Sequence, residues 1–285
     1  MKKLGFIGGG NMAEALARGL LATKVFSPAE IIASDVDAAR RRKLRRALKL
    51  TTTADNLEVL AESPALLIAV KPQTIDAVLS ELGDALQAAG TQTPRKSARR
   101  PAAQGKLFIS IAAGVTLERL TAALGARARV IRVMPNAPAM VGHGMAAMVR
   151  SASANKADEA FALRIFRAVG DAVVLADEGQ LDGVTALSGS GPAYVYLFVK
   201  AMADAGVSEG LPAELAVRMA LKTVRGAEAN MRQSGLEPGE LIRVVASPGG
   251  TTEAALRRFA EAGFSDIVAS ALHAAAERSR ELGRT

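Results

Sequence analysis

The feature that most constrains this chain lies in its first sixteen residues, the stretch GFIGGGNMAEAL from Gly5 to Leu16. Gly8, Gly10 and Ala13 form G-x-G-x-x-A directly behind an apolar strand candidate, KLGFIG, and at the head of an amphipathic stretch, NMAEALARGLLA. In that setting Gly8 permits a tight turn, Gly10 lets the backbone approach a pyrophosphate, and Ala13 lets the helix pack close on the sheet. The amides and dipole of the helix N-terminus then hold the anion. Asp35 ends the next strand candidate, IIASD, about twenty residues on, where an acid that reads a ribose is expected. The pattern predicts a dinucleotide-binding unit, but a cofactor cradle leaves the chemistry to residues further along.

Strand and helix patterns continue to alternate. VDAARRRKLRRAL, a short helical stretch from Asn56 to Leu60, ALLIAV, TIDAVLSELGDAL, LFISIAAG, TLERLTAAL and RVIRVM follow in turn, with a final strand expected in GMAAMV. Apolar strands alternating with helices predict a parallel sheet covered on both faces, a Rossmann-like doubly wound α/β domain over residues 1–168. From about residue 178 the strand signals vanish and alanine-rich helical patterns take over, so residues 169–285 read as an all-α domain. Its first helix, PAYVYLFVKAMADAG, is apolar nearly all round and belongs in an interior. In a domain of this size such a surface is readily buried against a second subunit, so a homodimer built mainly by the helical half is expected.

Composition narrows the function. With no cysteine there is no disulfide, thiolate nucleophile or thiolate metal site, and His143 and His273 are too few for a histidine-rich one, so no metal is expected. No apolar run approaches a membrane span, and the apolar start is broken at once by glycines, so the chain reads as cytoplasmic. The formal charge of +8 sits largely in a basic loop insertion at 90–105, with Arg95, Lys96, Arg99 and Arg100, and in the run from Arg40 to Arg46. Neither cluster is interleaved with aromatic residues, so nucleic-acid binding is not expected. Deleting residues 91–104 should leave the chemistry intact.

Two glycine-rich junctions carry that chemistry. LSGSGPAY places Gly189, Ser190 and Gly191 before Pro192, and SPGGTTEAAL places Gly249 and Gly250 before Thr251 and Thr252 at a helix start. Either alone reads as a helix cap. In the second, however, consecutive amides and two hydroxyls form a seat for a small carboxylate.

GFIGGGNMAEAL, AVKPQ, SIAAGVTLERL, RVIRVMPNAPAMVGHG, ALSGSGPAYVYLFVKAMADAGVSEGLP and VVASPGGTTEAALRRFAEAGF together resemble pyrroline-5-carboxylate reductase, in order from residue 4 to about 282. The resemblance implies NADPH- or NADH-dependent reduction of L-1-pyrroline-5-carboxylate to L-proline, by a Rossmann domain followed by a helical domain that interlocks with its partner, with decamers as a further assembly. It places cofactor contacts at Ile7, Gly8, Gly9, Gly10, Asn11 and Met12, at Ser34 and Asn56, and at Ala69, Val70, Lys71 and Pro72, with Ala112 and Ala113 beside the nicotinamide. It places the substrate carboxylate around Gly250, Thr251 and Thr252, with Ser247, Gly249 and the loop of Ser188, Gly189, Ser190 and Gly191 close by. Val244 stands where some relatives have an asparagine that aids the site, and His143 reads as structural or surface.

Which dinucleotide is used stays open. Asp35 suits free ribose hydroxyls and repels a 2′-phosphate, whereas Ser34 and Arg40, Arg41 and Arg42 suit that phosphate. At least two of the three arginines are expected on a solvated helix face. Reduction of a protonated imine asks little acid chemistry of the protein, which fits a chain with no evident catalytic dyad. Orientation then dominates, with Thr252 as the catalytic residue hydrogen-bonding the ring nitrogen. The proton's source stays open among Thr252, water and the pre-protonated substrate. Two rivals exist. A 3-hydroxyacid dehydrogenase would need a lysine where Val195 stands, and a dinucleotide sensor would have no use for the two junctions.

Overall fold

The computed structural model describes residues 2–91 and 105–284, so most of the basic 90–105 insertion lies outside the described residues. It opens with β1 (Leu4–Ile7), α1 (Asn11–Ala22), β2 (Ile31–Ser34), α2 (Ala38–Leu48), β3 (Thr51–Thr53) and α3 (Asn56–Glu62). There follow β4 (Ala65–Ile68), α4 (Ile75–Thr91), β5 (Leu107–Ser110), α5 (Leu117–Leu124), β6 (Arg129–Met134) and β7 (Gly144–Arg150). The sheet is completed by α6 (Lys156–Arg167), β8 (Gly170–Val174) and α7 (Gln180–Val184). Its eight strands run in the order β3-β2-β1-β4-β5-β6-β7-β8, and the order reverses between β1 and β4. That reversal is where an open α/β sheet forms its ligand crevice, outside the carboxyl ends of the strands.

The two faces of the sheet carry separate cores, because side chains alternate along each strand. Leu4, Phe6, Leu67 and Ile109 face one way and pack with Leu16, Leu20, Ile165 and Phe166 of α1 and α6. Ile7, Leu66, Ile68 and Phe108 face the other and pack with Val59, Leu79, Leu82 and Leu120 of α3, α4 and α5. Strands β1, β2, β4 and β5 are buried along their whole length, which is why they read as unbroken apolar runs.

Three expectations are corrected. The sheet is not wholly parallel: β7 runs antiparallel to β6, pairing Ile131 with Arg150 and Met134 with Ala147, because the short loop from Pro135 to His143 allows no crossover. Strands β3 and β8 were not legible as strands. Thr51–Thr53 is short and polar, and β8 is partly exposed. Finally, the chain divides into one compact unit of Met1–Gly189 with Ala275–Thr285 and another of Ser190–Ala274. The division expected after residue 168 therefore falls inside the first unit, where β8 pairs with β7.

The second unit holds α8 (Gly191–Ser208), α9 (Ala213–Ser234), α10 (Pro238–Val245), α11 (Thr251–Glu261) and the start of α12 (Phe264–Arg284). Helices α8 and α9 meet through Ala203, Ala216 and Ala220, with Val199 and Met202 beside them. Gly206 adds to this close approach, since a Cβ there would touch that of Ala216 at 3.4 Å. The interior expected for α8 is not supplied among the described residues: Ala203 is its only buried residue, and Tyr196 and Leu197 are 64% and 68% exposed. In the first unit, the end of α12 is tied by Ser279, whose Oγ donates to Asp182 Oδ1 at 2.6 Å.

Candidate active site

The glycine loop between β1 and α1 is built as its sequence demands. Gly8 has φ +96°, and a Cβ there would lie 2.9 Å from the carbonyl oxygen of Ala69. Its N–H donates to Ser34 O at 2.9 Å, stitching the loop to β2. Gly10 is different. It is the N-cap of α1 in an extended conformation, and a Cβ there would meet nothing nearer than Ala69 O at 4.0 Å. No side chain caps α1, so its first-turn amides face the crevice without a side-chain acceptor. A pyrophosphate fits this cradle on both counts, as an acceptor for those amides and as a reason to keep Gly10 bare. Beneath it, Glu14 bonds Arg18 at 2.7 Å and Lys43 at 2.6 Å, locking α1 to α2. Burial opposes charge on Glu14, but the two cations outweigh it and hold the carboxyl below its usual range.

Around the loop the polar groups are already engaged. Asp35 accepts from Gly9 N–H through Oδ2 and from Asp37 N–H through Oδ1, each at 2.8 Å. It thus ties the glycine loop to the end of β2, leaving each oxygen a lone pair for a ribose hydroxyl. Ser34 is fully buried, and its hydroxyl points to Asn56 Oδ1 at 2.6 Å, while Asn56 Nδ2 donates to Glu81 Oε2 at 2.7 Å. That hydroxyl is directed into the fold and not toward a 2′-phosphate. Of the three arginines, Arg40 and Arg41 are half-buried and only Arg42 is fully exposed, against the expectation of a solvated face for two. Arg40 donates to Asn11 Oδ1 at 2.8 Å, and Arg41 to the carbonyls of Asp35 and Val36 at 2.6 and 3.0 Å. Both guanidinium groups are drawn back over the loop because free carbonyl and amide oxygens end β2 and begin α1 there.

The other expected cofactor residues end neighbouring strands. Ala69 N–H donates to Ile7 O at 2.8 Å, and Val70 lies against Gly8, whereas Lys71 and Pro72 are exposed. After β5, Ala112 is buried and Ala113 exposed. Ile7, Met12, Ala69, Ala112 and the glycine loop therefore share the carboxyl edge of β1, β4 and β5.

Neither glycine junction is an ordinary side-chain cap. Residues Thr185–Gly189 form a turn of π-helix, and Ser190, the N-cap of α8, makes no capping bond. At the other junction Gly249 has φ +72°, Gly250 is the N-cap of α11, and Gly250 N–H closes a turn onto Ser247 O at 3.0 Å. A Cβ on Gly250 would fall 2.6 Å from Ser247 Oγ, so glycine keeps this turn compact. No side chain caps α11 either, which leaves the amides at its start, with Thr251 exposed and Thr252 half-buried, available to an anion. Glu253 reaches back to Gly249 N–H at the side of this turn.

Comparison with known proteins finds a family match in each half of the chain. Residues 178–282 match the family described as pyrroline-5-carboxylate reductase dimerisation, and residues 3–91 match that described as NADP oxidoreductase coenzyme F420-dependent. A pyrroline-5-carboxylate reductase of Synechocystis sp. is 41% identical over 282 residues, 99% of this chain and 98% of that protein. The chain belongs to the pyrroline-5-carboxylate reductase family. Among solved structures, the enzyme of Coxiella burnetii superposes with a TM-score of 0.87 at 32% identity, covering 100% of this chain and 99% of that one. That of Plasmodium falciparum, solved with NADP bound, gives 0.84 at 29% identity, with 99% and 98% covered. The chain is accordingly an NAD(P)H-dependent oxidoreductase with a small-molecule substrate and a family dimerisation region.

One polar residue bonded to Ser188 of the first junction has no local sequence signal. Asn136, in the loop after β6, is 8% exposed and bonds residues on both sides. Its Nδ2 donates to Ser188 O at 3.0 Å and its Oδ1 accepts from Met145 N–H at 2.8 Å. Set between Pro135 and Pro138, it reads locally as a turn residue, and nothing local announces a partner 52 positions away.

Proposed function

We propose that this chain reduces L-1-pyrroline-5-carboxylate to L-proline with NADPH or NADH, the last step of proline biosynthesis. The observation that carries the reading is its 41% identity to a pyrroline-5-carboxylate reductase across nearly the full length of both chains. The bound dinucleotide supplies the hydride that reduces the C=N carbon. The glycine loop and first turn of α1 hold its pyrophosphate, with Ala112 and Ala113 beside the nicotinamide end and Asn56 and Ala69–Pro72 along the crevice. The turn from Ser247 to Thr252 seats the substrate carboxylate on the open amides of α11, and the Thr252 hydroxyl orients the ring nitrogen. The Ser188–Gly191 loop is the further substrate contact that the family resemblance implies. The residues act mainly by placement, with the proton on the ring nitrogen coming from Thr252, from water or with the substrate itself.

The working form is a homodimer. The match to a dimerisation family and the many large apolar side chains left exposed in the helical unit, Tyr196, Leu197, Val244 and Ile267 among them, support it. A decamer of such dimers is the further assembly. A cytoplasmic location without nucleic acid or membrane as partner belongs to the same reading; no described helix is long and apolar enough to cross a membrane. Purified protein mixed with pyrroline-5-carboxylate should consume nicotinamide absorbance and yield proline with at least one of NADPH and NADH. Cofactor binding without turnover would instead point to a dinucleotide sensor, and light scattering at the mass of a monomer would remove the dimer.

A further inference from the structure

The first unit contains a buried polar clamp that the proposed reaction does not use directly. Asn136 lies at the end of β6, and the Ser188 carbonyl belongs to the π-helical turn Thr185–Gly189. A carbonyl at such a helix end lacks a regular intrahelical partner, and burial raises the cost of leaving it without a donor. The Asn136 amide supplies one at 3.0 Å. The orientation of the amide is dictated from both sides, because Met145 N–H can only donate to its oxygen and Ser188 O can only accept from its nitrogen. A second contact comes from the same strand end: a Cβ on Gly189 would fall 2.7 Å from Met134 Cε. Single π-helical turns inside helices are frequent at functional sites. Here the turn sits directly before the Ser190–Gly191 segment.

We propose that Asn136 is a positioning residue for the imine substrate, holding the Ser188 carbonyl and so fixing where the Ser188–Gly189 backbone stands at the sheet's edge. The inference rests on the reading of the Ser188–Gly191 loop as part of the substrate site. Asn136 makes no hydrogen bond to the glycine loop or to α1, although the short turn that it caps packs on α1, so its loss should fall first on the imine and less on the dinucleotide.

The test is Asn136→Asp, which keeps the acceptor for Met145 N–H and replaces the donor to Ser188 O by an acceptor. With pyrroline-5-carboxylate varied at saturating NADPH, kcat/KM should fall about tenfold or more at pH 8, carried mainly by KM, while the NADPH Kd stays within about twofold. The deficit relative to the parent chain should narrow as the pH falls toward about 4, the ordinary aspartate range, because the protonated carboxyl regains an O–H donor for Ser188 O. If Asn136→Asp fails to fold, Asn136→Ala gives the same KM reading without burying a charge, with NADPH Kd as its folding control. Gly189→Ala, which pushes on Met134, separates the two levels of the argument. A raised imine KM in Gly189→Ala with none in the Asn136 variants overturns the positioning role alone. Unchanged imine kinetics in both overturn the assignment of the loop to the substrate as well. Equal loss of imine and NADPH affinity in the Asn136 variants makes Asn136 merely structural.

Discussion

Two glycines of one motif, two residues apart, should fail in different ways when given a single methyl group. At Gly8 the backbone has φ +96°, a region that costs an L-residue about 1–2 kcal/mol. The added Cβ would also press to 2.9 Å on the Ala69 carbonyl, which cannot swing aside because Ala69 N–H is bonded to Ile7 O at 2.8 Å. Overpacking of this kind costs a further ~1–3 kcal/mol. Gly8→Ala should therefore destabilise the first unit by about 2–5 kcal/mol and lower the apo Tm by roughly 5–15 °C. At Gly10 the backbone is extended and the methyl meets only open space, so Gly10→Ala loses little more than the N-cap preference, about 1 kcal/mol or less. What the methyl does meet is the path by which a pyrophosphate approaches the amides of α1. Its NADPH Kd should rise about tenfold or more with the apo Tm within about 4 °C of the parent. Differential scanning fluorimetry without cofactor and calorimetric titration with NADPH separate the two effects. A Gly10→Ala protein that binds NADPH like the parent, or a Gly8→Ala protein that melts with it, would refute the division of labour.

If Arg40, held over the loop on Asn11 at 2.8 Å, meets a 2′-phosphate, Arg40→Ala should raise KM for NADPH about five- to tenfold and change that for NADH less than twofold; a parallel change in both KM values would reassign it to loop structure. Thr252→Ala should lower kcat about tenfold or more while leaving NADPH Kd unchanged, and equal loss of both would argue against its role at the ring nitrogen. The Lys156 hydrogen bond most of all, then that from Arg150, hold the Glu159 carboxyl below its usual 4.5 despite the opposing effect of burial. Since its folded pKa is depressed, its contribution is complete above the unfolded value and is lost as pH falls below it. Glu159→Gln should thus be less stable by roughly 1–3 kcal/mol at pH 7, and chemical denaturation repeated from pH 7 down to about pH 3 should show this gap closing. A gap that does not change with pH would mean the ion pairs are not what the substitution removes.

Much of the cofactor half was legible because its determinants are local. The turn at Gly8, the helix beginning at Asn11 and the runs IIAS, ALLI and LFIS each record their own conformation in their own residues, and β6 follows RVIRVM residue for residue. The long helices of the second half were equally plain. Elements whose identity comes from a neighbour were not. Thr51–Thr53 is a strand because β2 offers it an edge, and Gly170–Val174 because β7 does. The direction of β7 is likewise set by a loop too short to cross over. The same distinction runs through the site. That a hydroxyl ends β2, a carboxylate follows it and several arginines open α2 is written in SDVDAARRR, but their targets are tertiary: Asp35 turns to the Gly9 amide, Ser34 inward to Asn56, and Arg40 and Arg41 back over the loop. The sequence by itself determined the cofactor fingerprint and the two glycine junctions, since these depend on backbone conformations that glycine, alanine and threonine impose where they stand, and its motifs carried the family resemblance that implies the class of chemistry. Only the tertiary structure decided which polar atoms remain free for a ligand and that Asn136 holds Ser188, because a hydrogen bond between residues far apart in the chain leaves no periodicity or local composition to read.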